Sequence, residues 1–198
     1  MGLNLTYIEG QTPVDEDEKK GLLIKTISTR EDLDEFEQYN IEKAVEWSMK
    51  YKFKIDKILD EMFIKDLHKR MFNEVWRWAG KFRNTNKNLG VDKFQIGVEL
   101  RNLIDDCKYW IDDSTYTEDE IAIRFKHKLV SIHLFPNGNG RHSRLCADIL
   151  ISHGFGKQIF YWGGNHLTSS GNPREKYINA IHEADNGNYK LLIEFARS

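Results

Sequence analysis

Prolines, cysteines and long apolar runs are scarce in this chain, and each scarcity excludes a class of protein. The chain has only 3 prolines and 2 cysteines in 198 residues. Cys107 and Cys146 lie in apolar contexts and form no CxxC pattern, so neither a disulfide framework nor a zinc finger is expected. No apolar run approaches the ~20 residues that span a bilayer, so we expect no membrane partner.

An excess of one charge is missing as well. The chain has 29 Lys and Arg against 31 Asp and Glu. Without a basic field, direct binding of nucleic acid is not expected. The N-terminal segment is polar and acidic, unlike a signal peptide, and we therefore expect a cytoplasmic protein. A hydrophobic content of 40% is typical of a folded globular domain.

Helical periodicity fills most of the chain. A capping box at 28–31 (Ser-Thr-Arg-Glu) predicts a helix to about Met49, and Thr117 with Glu120 predicts another that ends just after His133. Between them, apolar spacing favours one long helix over about 54–78. The sequence predicts a mainly α fold, with residues 1–27 as an N-terminal extension and 28–198 as a single domain.

One segment breaks the helical period. Residues of about 82–97 are rich in Asn and Gly and alternate apolar with polar positions at Leu89, Val91, Phe94 and Ile96. Alternation around an Asn- and Gly-rich centre favours an exposed β-hairpin, which we interpret as a flap.

The stretch HLFPNGNGRHSR, residues 133–144, has the chemistry of a phosphate site. Gly138, Asn139 and Gly140 allow the backbone to approach a ligand, and they supply N–H groups at the start of a helix, where the macrodipole favours an anion. Arg141 and Arg144 lie three residues apart, so their guanidinium groups project from the same side of that helix.

His133 adds a base beside this loop. An imidazole can take a hydroxyl proton near neutral pH. A turn alone accounts for any single one of these residues, and a lone histidine at a helix end is usually a cap or a packed residue. A turn does not account for the combination, which indicates phosphoryl or nucleotidyl transfer. The other histidines show no zinc-binding spacing and are expected at the surface or in packing.

The stretch also resembles the Fic motif, His-x-Phe-x-acid-Gly-Asn-Gly-Arg-x-x-Arg, and departs from it only at the acid. The segments LHKRMFNEVWRWAGKFR and NKNLGVDKFQI look like the helix before the Fic flap and the flap itself. The likeness extends over nearly the whole chain and is greatest to the bacterial Fic subgroup called mobile mystery protein B. It implies a Fic-type helical bundle with a small β-hairpin flap.

The resemblance implies an adenylyltransferase that moves AMP from ATP, with Mg²⁺, to a Ser, Thr or Tyr hydroxyl of a target protein. His133 would be the catalytic base and Phe135 the anchor of the loop. Phosphates would be bound by Gly138, Asn139, Gly140, Arg141 and, at the terminal phosphate, Arg144. The target would lie along the flap residues Asn88, Leu89, Gly90 and Val91.

Asn137 stands where Fic proteins usually have Asp or Glu to bind magnesium. A neutral amide oxygen lacks the charge that hard cations prefer, so we expect weaker metal binding or an ion carried mainly by ATP. The same substitution occurs in the mobile mystery protein B subgroup. Two further functions stay open: a phosphotransferase, phosphodiesterase or de-AMPylase that uses the same loop, and a catalytically silent nucleotide-binding module.

Regulation has one candidate within the chain. Many Fic proteins carry an inhibitory helix whose glutamate pairs with the second motif arginine, and Glu42, in QYNIEKA, occupies the corresponding acid position without the flanking matches. A solvated glutamate on a helix face is the alternative interpretation. An antitoxin-like or helix-turn-helix partner, encoded alongside, would otherwise supply the inhibition.

Overall fold

The computed structural model describes residues 14–164 and 172–198. Within these ranges the chain is mainly helical, as the sequence predicts. The α-helices, in chain order, are α1 (Glu16–Lys19), α2 (Arg30–Lys50), α3 (Ile55–Ile58), α4 (Glu61–Phe72), α5 (Ile96–Asp112), α6 (Glu118–Ile132), α7 (Asn139–Ile149), α8 (Asn172–Asp185) and α9 (Lys190–Arg197), and a π-helical turn, Leu150–Gly154, follows α7. No described helix is both long and apolar enough to cross a membrane.

Side-chain caps set where the longer helices begin. The Thr117 hydroxyl accepts the backbone N–H of Glu120 at the start of α6, as predicted. At the start of α2 the capping box lies one residue later than predicted. Thr29 caps the helix, and Asp32 returns the hydrogen bond to the backbone of Thr29.

The long helix predicted over 54–78 is divided. Asp60 adopts an extended conformation, and its carboxylate accepts the backbone N–H of Phe63, which starts α4 as a new helix. Beyond Phe72, the amide of Asn40 on α2 accepts the N–H of Glu74 at 2.9 Å and donates to the carbonyl of Arg70. This distant side chain satisfies backbone groups where α4 ends, which local periodicity cannot show.

The β-hairpin predicted for the flap is wrong. Residues 82–95 form bends and turns without strands, and the bridge between Leu22 and Trp76 is isolated. The buried Arg83 side chain explains the difference. Its guanidinium donates to the carbonyls of Thr85 and Val91, which are acceptors that a hairpin would use in its ladder.

The segment before α2 packs onto the helical body. Val14 and Ile27 are buried in the core. The backbone N–H of Leu23 donates to Val75 at 2.9 Å, and that of Arg77 donates to Gly21 at 2.8 Å. These bonds fix the segment against residues 75–77, and the ion pairs of Lys87 with Asp15 and Glu18 place α1 beside the flap.

Candidate active site

The candidate site lies where α6 ends and α7 begins. α6 ends at Ile132 because His133 takes the left-handed conformation, with φ 58° and ψ 63°. The chain reverses through residues 134–137, and Gly138, with φ 77°, then serves as the N-cap of α7. A left-handed histidine is uncommon, and such strained residues cluster at functional sites.

Asn139 locks this loop from inside. Its side-chain oxygen accepts the N–H of Phe135 at 2.9 Å, and its amide donates to the carbonyl of the same residue at 2.8 Å. Asn139 is 5% exposed, so its side chain is committed to the loop. Only the backbone of Asn139, at the start of α7, is therefore left to contact a ligand.

His68 on α4 supports the same loop. Its Nδ1 accepts the N–H of Gly80 at 3.0 Å, so the proton resides on Nε2, which donates to the carbonyl of Asn137 at 3.1 Å. The ring also stacks on Phe135, with centroids 3.7 Å apart. The sequence interpretation left this residue as a packing histidine. Its spacing on the apolar face of α4, between Ile64 and Phe72, was the only signal.

The two motif glycines serve different purposes. A Cβ on Gly138 would lie 2.5 Å from the Phe72 ring, so only glycine fits there at its positive φ. Apart from the backbone of its own helix, the nearest atom to a Cβ on Gly140 would be Nη1 of Arg144, 4.0 Å away. Gly138 therefore seats the loop on α4, whereas Gly140 leaves the start of α7 open to a ligand.

The ring of His133 is buried and has a nitrogen that can accept a proton. The residue is 5% exposed, and Nε2 has no hydrogen-bond partner among the described residues. Burial lowers the pKa of His133 to about 4, and the cations of Arg83 and Lys87 add to the effect. The imidazole is therefore neutral at pH 7.

Arg83 connects the flap to this histidine, a role that sequence reasoning missed. It is 3% exposed, and its Nε donates to the carbonyl of His133 at 2.6 Å. Burial lowers the pKa of the guanidinium, which nevertheless remains charged. The N–H of Val91 also donates to the carbonyl of Ile132, at 3.3 Å.

Two of the four flap residues predicted to bind a target, Gly90 and Val91, lie against the end of α6. Asn88, Leu89 and Gly90 are exposed and Val91 is partly buried. Gly90 has a φ of 95°, and a Cβ there would lie 2.5 Å from the Cβ of His133. A side chain at this position would displace either the flap or the histidine.

The two motif arginines differ in their partners. Arg141 pairs with Glu37 of α2, with 2.7 Å between Nη1 and Oε2, and Glu37 also accepts the indole N–H of Trp76. Arg144 forms no ion pair with any residue in the described ranges. Its guanidinium instead lies against the hydroxyl of Tyr177 on α8, which it contacts by a hydrogen bond.

Glu42, the sequence candidate for an inhibitory acid, is not brought to Arg144. It lies on the exposed side of α2, where its carboxylate accepts the Gln38 amide at 3.1 Å. The acid on α2 that reaches the motif is Glu37, which lies five residues earlier and pairs with the first arginine instead.

The residues present do not fit a protein-held magnesium ion. The side-chain oxygen of Asn137 accepts the N–H of Gly138 at 2.6 Å. Across residues 14–164 and 172–198, no three His, Cys, Asp or Glu side chains group so as to hold a metal. Hard cations need several oxygen ligands, preferably charged, and this loop offers one neutral amide.

The fold and the loop define a class of protein: a helical bundle in which a buried histidine at one helix end adjoins a glycine-rich helix start with two arginines. Residues 58–151 match the Fic/DOC family. The matched segment is just under half of the chain and includes both the flap and the loop from His133 to Arg144.

The chain is 29% identical over 148 residues to protein adenylyltransferase fic-1 of Caenorhabditis elegans. That match covers 69% of this chain and 27% of the relative, so the chain spans about a quarter of the relative's length.

Solved structures share the fold. The N-terminal Fic domain of a VirB-translocated effector from Bartonella quintana has a TM-score of 0.67 at 17% identity, covering 87% of this chain and 84% of that one. BepC from Bartonella tribocorum, solved with bound AMPPNP, has a TM-score of 0.65 at 18% identity, covering 92% and 97%.

Proposed function

We propose that this chain is a Fic-type protein nucleotidyltransferase, which transfers AMP from ATP to a Ser, Thr or Tyr hydroxyl of a target protein. The buried, unpartnered Nε2 of His133 carries the proposal. A neutral ring nitrogen beside a phosphate-binding helix start suits a base for an incoming hydroxyl. Two relatives support it, since one is named an adenylyltransferase and another holds AMPPNP.

The reaction uses the loop as follows. The target hydroxyl gives its proton to Nε2 of His133 while its oxygen attacks the α-phosphorus of ATP. The bond from that phosphorus to the bridging oxygen breaks, and pyrophosphate leaves. The N–H groups at the start of α7, Arg141 and Arg144 neutralise the charge that develops on the leaving group.

The flap positions the target in this proposal. Residues 88–91 are largely exposed, and Gly90 among them lies against His133. An extended target segment that binds there through main-chain hydrogen bonds brings a hydroxyl to the histidine with few demands on its sequence.

Magnesium enters with ATP in this scheme, since the loop offers no carboxylate. The asparagine at position 137 agrees with the mobile mystery protein B subgroup, to which we assign the chain. Inhibition is assigned to an antitoxin-like or helix-turn-helix partner chain, because Glu42 lies away from Arg144.

Labelled ATP tests the proposal. The protein is incubated with ATP carrying label at either the α or the γ phosphate, with itself and a cell extract as acceptors. Label from the α position should stay on protein, and label from the γ position should not. The matched control is His133→Ala, which should abolish labelling but bind ATP nearly as the wild type does, because a base acts on the chemical step.

Other results of the labelling assay would each indicate a different function. Retained γ label indicates a phosphotransferase, and release of AMP from an already modified protein indicates a de-AMPylase. Absence of label from both positions, with ATP still bound, indicates a silent nucleotide-binding module. The poor fit of Asn137 to a metal is the observation that favours this last function.

A further inference from the structure

A fully buried lysine lies close to the motif. Lys126 on α6 is 0% exposed, and its ammonium group donates to the hydroxyl of Tyr177 on α8 at 2.6 Å. Lysine is almost never fully buried without a charged partner. The position therefore needs an explanation.

No carboxylate supplies that partner. Lys126 forms no ion pair with any described residue. Asp185, which is also on α8, instead accepts a hydrogen bond from His127 at 2.9 Å. Asp148 accepts a hydrogen bond from the indole N–H of Trp162.

Arg144 adds a second unpaired cation at the same place. Burial lowers the pKa of Lys126 and the charge of Arg144 adds to the effect, while Tyr177 and the more distant Asp185 oppose it only in part. Burial alone would raise the pKa of Tyr177, but the charges of Lys126 and Arg144 outweigh it and lower that pKa. Arg144 also borders Gly140, since its Nη1 lies 4.0 Å from where a Cβ on that glycine would be. The cluster therefore extends from the open start of α7 to the buried lysine.

Hydrogen-bond chemistry shows what this cluster lacks. An ammonium group has three donors and no acceptor, and a guanidinium group has five donors and no acceptor. The Tyr177 hydroxyl is the acceptor for Lys126, and its own proton must still find one. Three donor groups without an anionic acceptor match a phosphate or pyrophosphate group.

We propose that Lys126 and Tyr177 join Arg144 to bind the end of a nucleoside triphosphate that leaves as pyrophosphate. Lys126 precedes His133 by seven residues, which is about 10 Å along a helix. The cluster and the base therefore serve different ends of one triphosphate. The assignment rests on the proposed function and adds two binding residues from outside the motif.

Binding of inorganic pyrophosphate and of AMP, measured by calorimetry, tests the inference in the full chain. Tyr177→Phe and Lys126→Met should each weaken the binding of pyrophosphate at least fivefold. The affinity for AMP should stay unchanged in both variants. Two matched controls remove the same groups nearby: Tyr189→Phe, whose hydroxyl contacts His127, and Lys128→Met, whose side chain is partly exposed. Both should bind pyrophosphate as the wild type does.

Thermal melts accompany the binding data. Should Lys126→Met fail to fold, Tyr177→Phe decides alone, since it removes one oxygen. Equal losses for AMP and pyrophosphate would reduce the pair to structural residues, and so would unchanged pyrophosphate binding or a wild type that binds no pyrophosphate.

The α-label assay separates this inference from the proposed function. If the wild type transfers AMP and the variants bind pyrophosphate normally, the anion site is rejected and the proposed function is supported. If the wild type transfers no AMP but the variants selectively lose pyrophosphate binding, the anion site is supported and the proposed function is rejected.

Discussion

At the scale of a single residue, His133 combines three properties that rarely occur together. It has a left-handed backbone, it is buried, and a ring nitrogen lacks a partner among the described residues. Each is unfavourable for folding, and the surrounding structure must hold the residue in place. Arg83 does this by binding the His133 carbonyl, while its charge disfavours a protonated ring.

The first prediction concerns the titration of this ring. Because burial and two nearby cations lower the pKa to about 4, the imidazole should stay neutral from pH 8 down to about 5. The measurement is an NMR titration of the ligand-free protein, with the His133 signal assigned by its loss in His133→Ala. A midpoint near the ordinary value of 6.5 would show that the ring is solvated and that the flap does not cover it.

The second prediction concerns Asn137. In Asn137→Asp, a carboxylate replaces a neutral amide, so magnesium binding in the presence of ATP should tighten by about tenfold, ~1.4 kcal/mol. AMP transfer should rise as well. The measurement is calorimetric titration of magnesium into each protein with ATP bound. Unchanged binding would show that the ion contacts only the nucleotide.

That comparison needs a chemical control. Asn137 precedes Gly138, and Asn-Gly pairs are prone to deamidation, which creates the same aspartate spontaneously. Peptide-mass analysis of the wild type should therefore show intact Asn137 before the two proteins are compared.

At the scale of elements, α2 reaches the motif through Glu37. The carboxylate pairs with Arg141 at 2.7 Å and is almost fully buried, so it competes with a phosphate for that arginine. The third prediction is that Glu37→Gln tightens ATP binding by about fivefold, ~1 kcal/mol. Glutamine still offers an acceptor to the Trp76 indole. The matched control is Glu35→Gln, an exposed acid on the same helix.

ATP affinity measured by calorimetry decides between two roles for Glu37. If Glu37→Gln weakens ATP binding instead, the Glu37 carboxylate positions Arg141 for the phosphate and does not compete with the phosphate. In that case α2 forms part of the binding site.

The short helix α1 holds the flap. The Lys87 ammonium lies 2.6 Å from Glu18 and 2.7 Å from Asp15, and both Lys87 and Glu18 are nearly buried. The fourth prediction is that Glu18→Gln lowers the free energy of unfolding by about 3 kcal/mol, because it leaves a buried cation poorly paired. Amide hydrogens over 83–92 should also exchange faster.

Glu16→Gln is the control for this variant. Glu16 lies on the same helix, and its ion pair with Lys19 is exposed on the glutamate side. It should leave both exchange and stability unchanged. Flap exchange that is the same in all three proteins would show that α1 does not hold the flap.

At the scale of the whole molecule, buried histidines make stability depend on pH. Burial lowers the pKa of His142 to about 4, and that of His68 well below 6.5. Unfolding restores the ordinary value, so the unfolded chain binds more protons between pH 6.5 and 4. Stability from these groups is present above 6.5 and is lost as pH falls through this window. Asp148 acts in the opposite direction, because burial raises its pKa to about 7.

The fifth prediction isolates one of these groups. His142→Gln removes a titrating ring and keeps an amide donor for the carbonyl of Ile64, which His142 contacts at 2.9 Å. The stability difference between wild type and variant should shrink by about 2 kcal/mol between pH 7 and pH 4.5. Urea unfolding at the two pH values measures it. A constant difference would show that His142 is not held neutral.

The local sequence was sufficient for most features that depend on neighbouring residues, although the Asp60 cap that begins α4 was missed. Helical periodicity, the Thr117 cap and the glycine-rich start of α7 each involve groups within a few positions, whose interactions follow from backbone geometry. The mainly helical fold was predicted on that basis. The candidate loop was found in the same way, because His133, the glycines and both arginines lie within twelve residues.

Only the tertiary structure decided which distant side chains act on that loop. Lys126 meets Tyr177 across 51 positions, and His68 meets the Asn137 carbonyl across 69. Periodicity reports which face of a helix is buried but not what that face contacts, so Glu37 was missed and Glu42 was considered instead. The flap was predicted as a hairpin for the same reason. Its alternation was real, but the buried Arg83 had taken carbonyls that strand pairing needs.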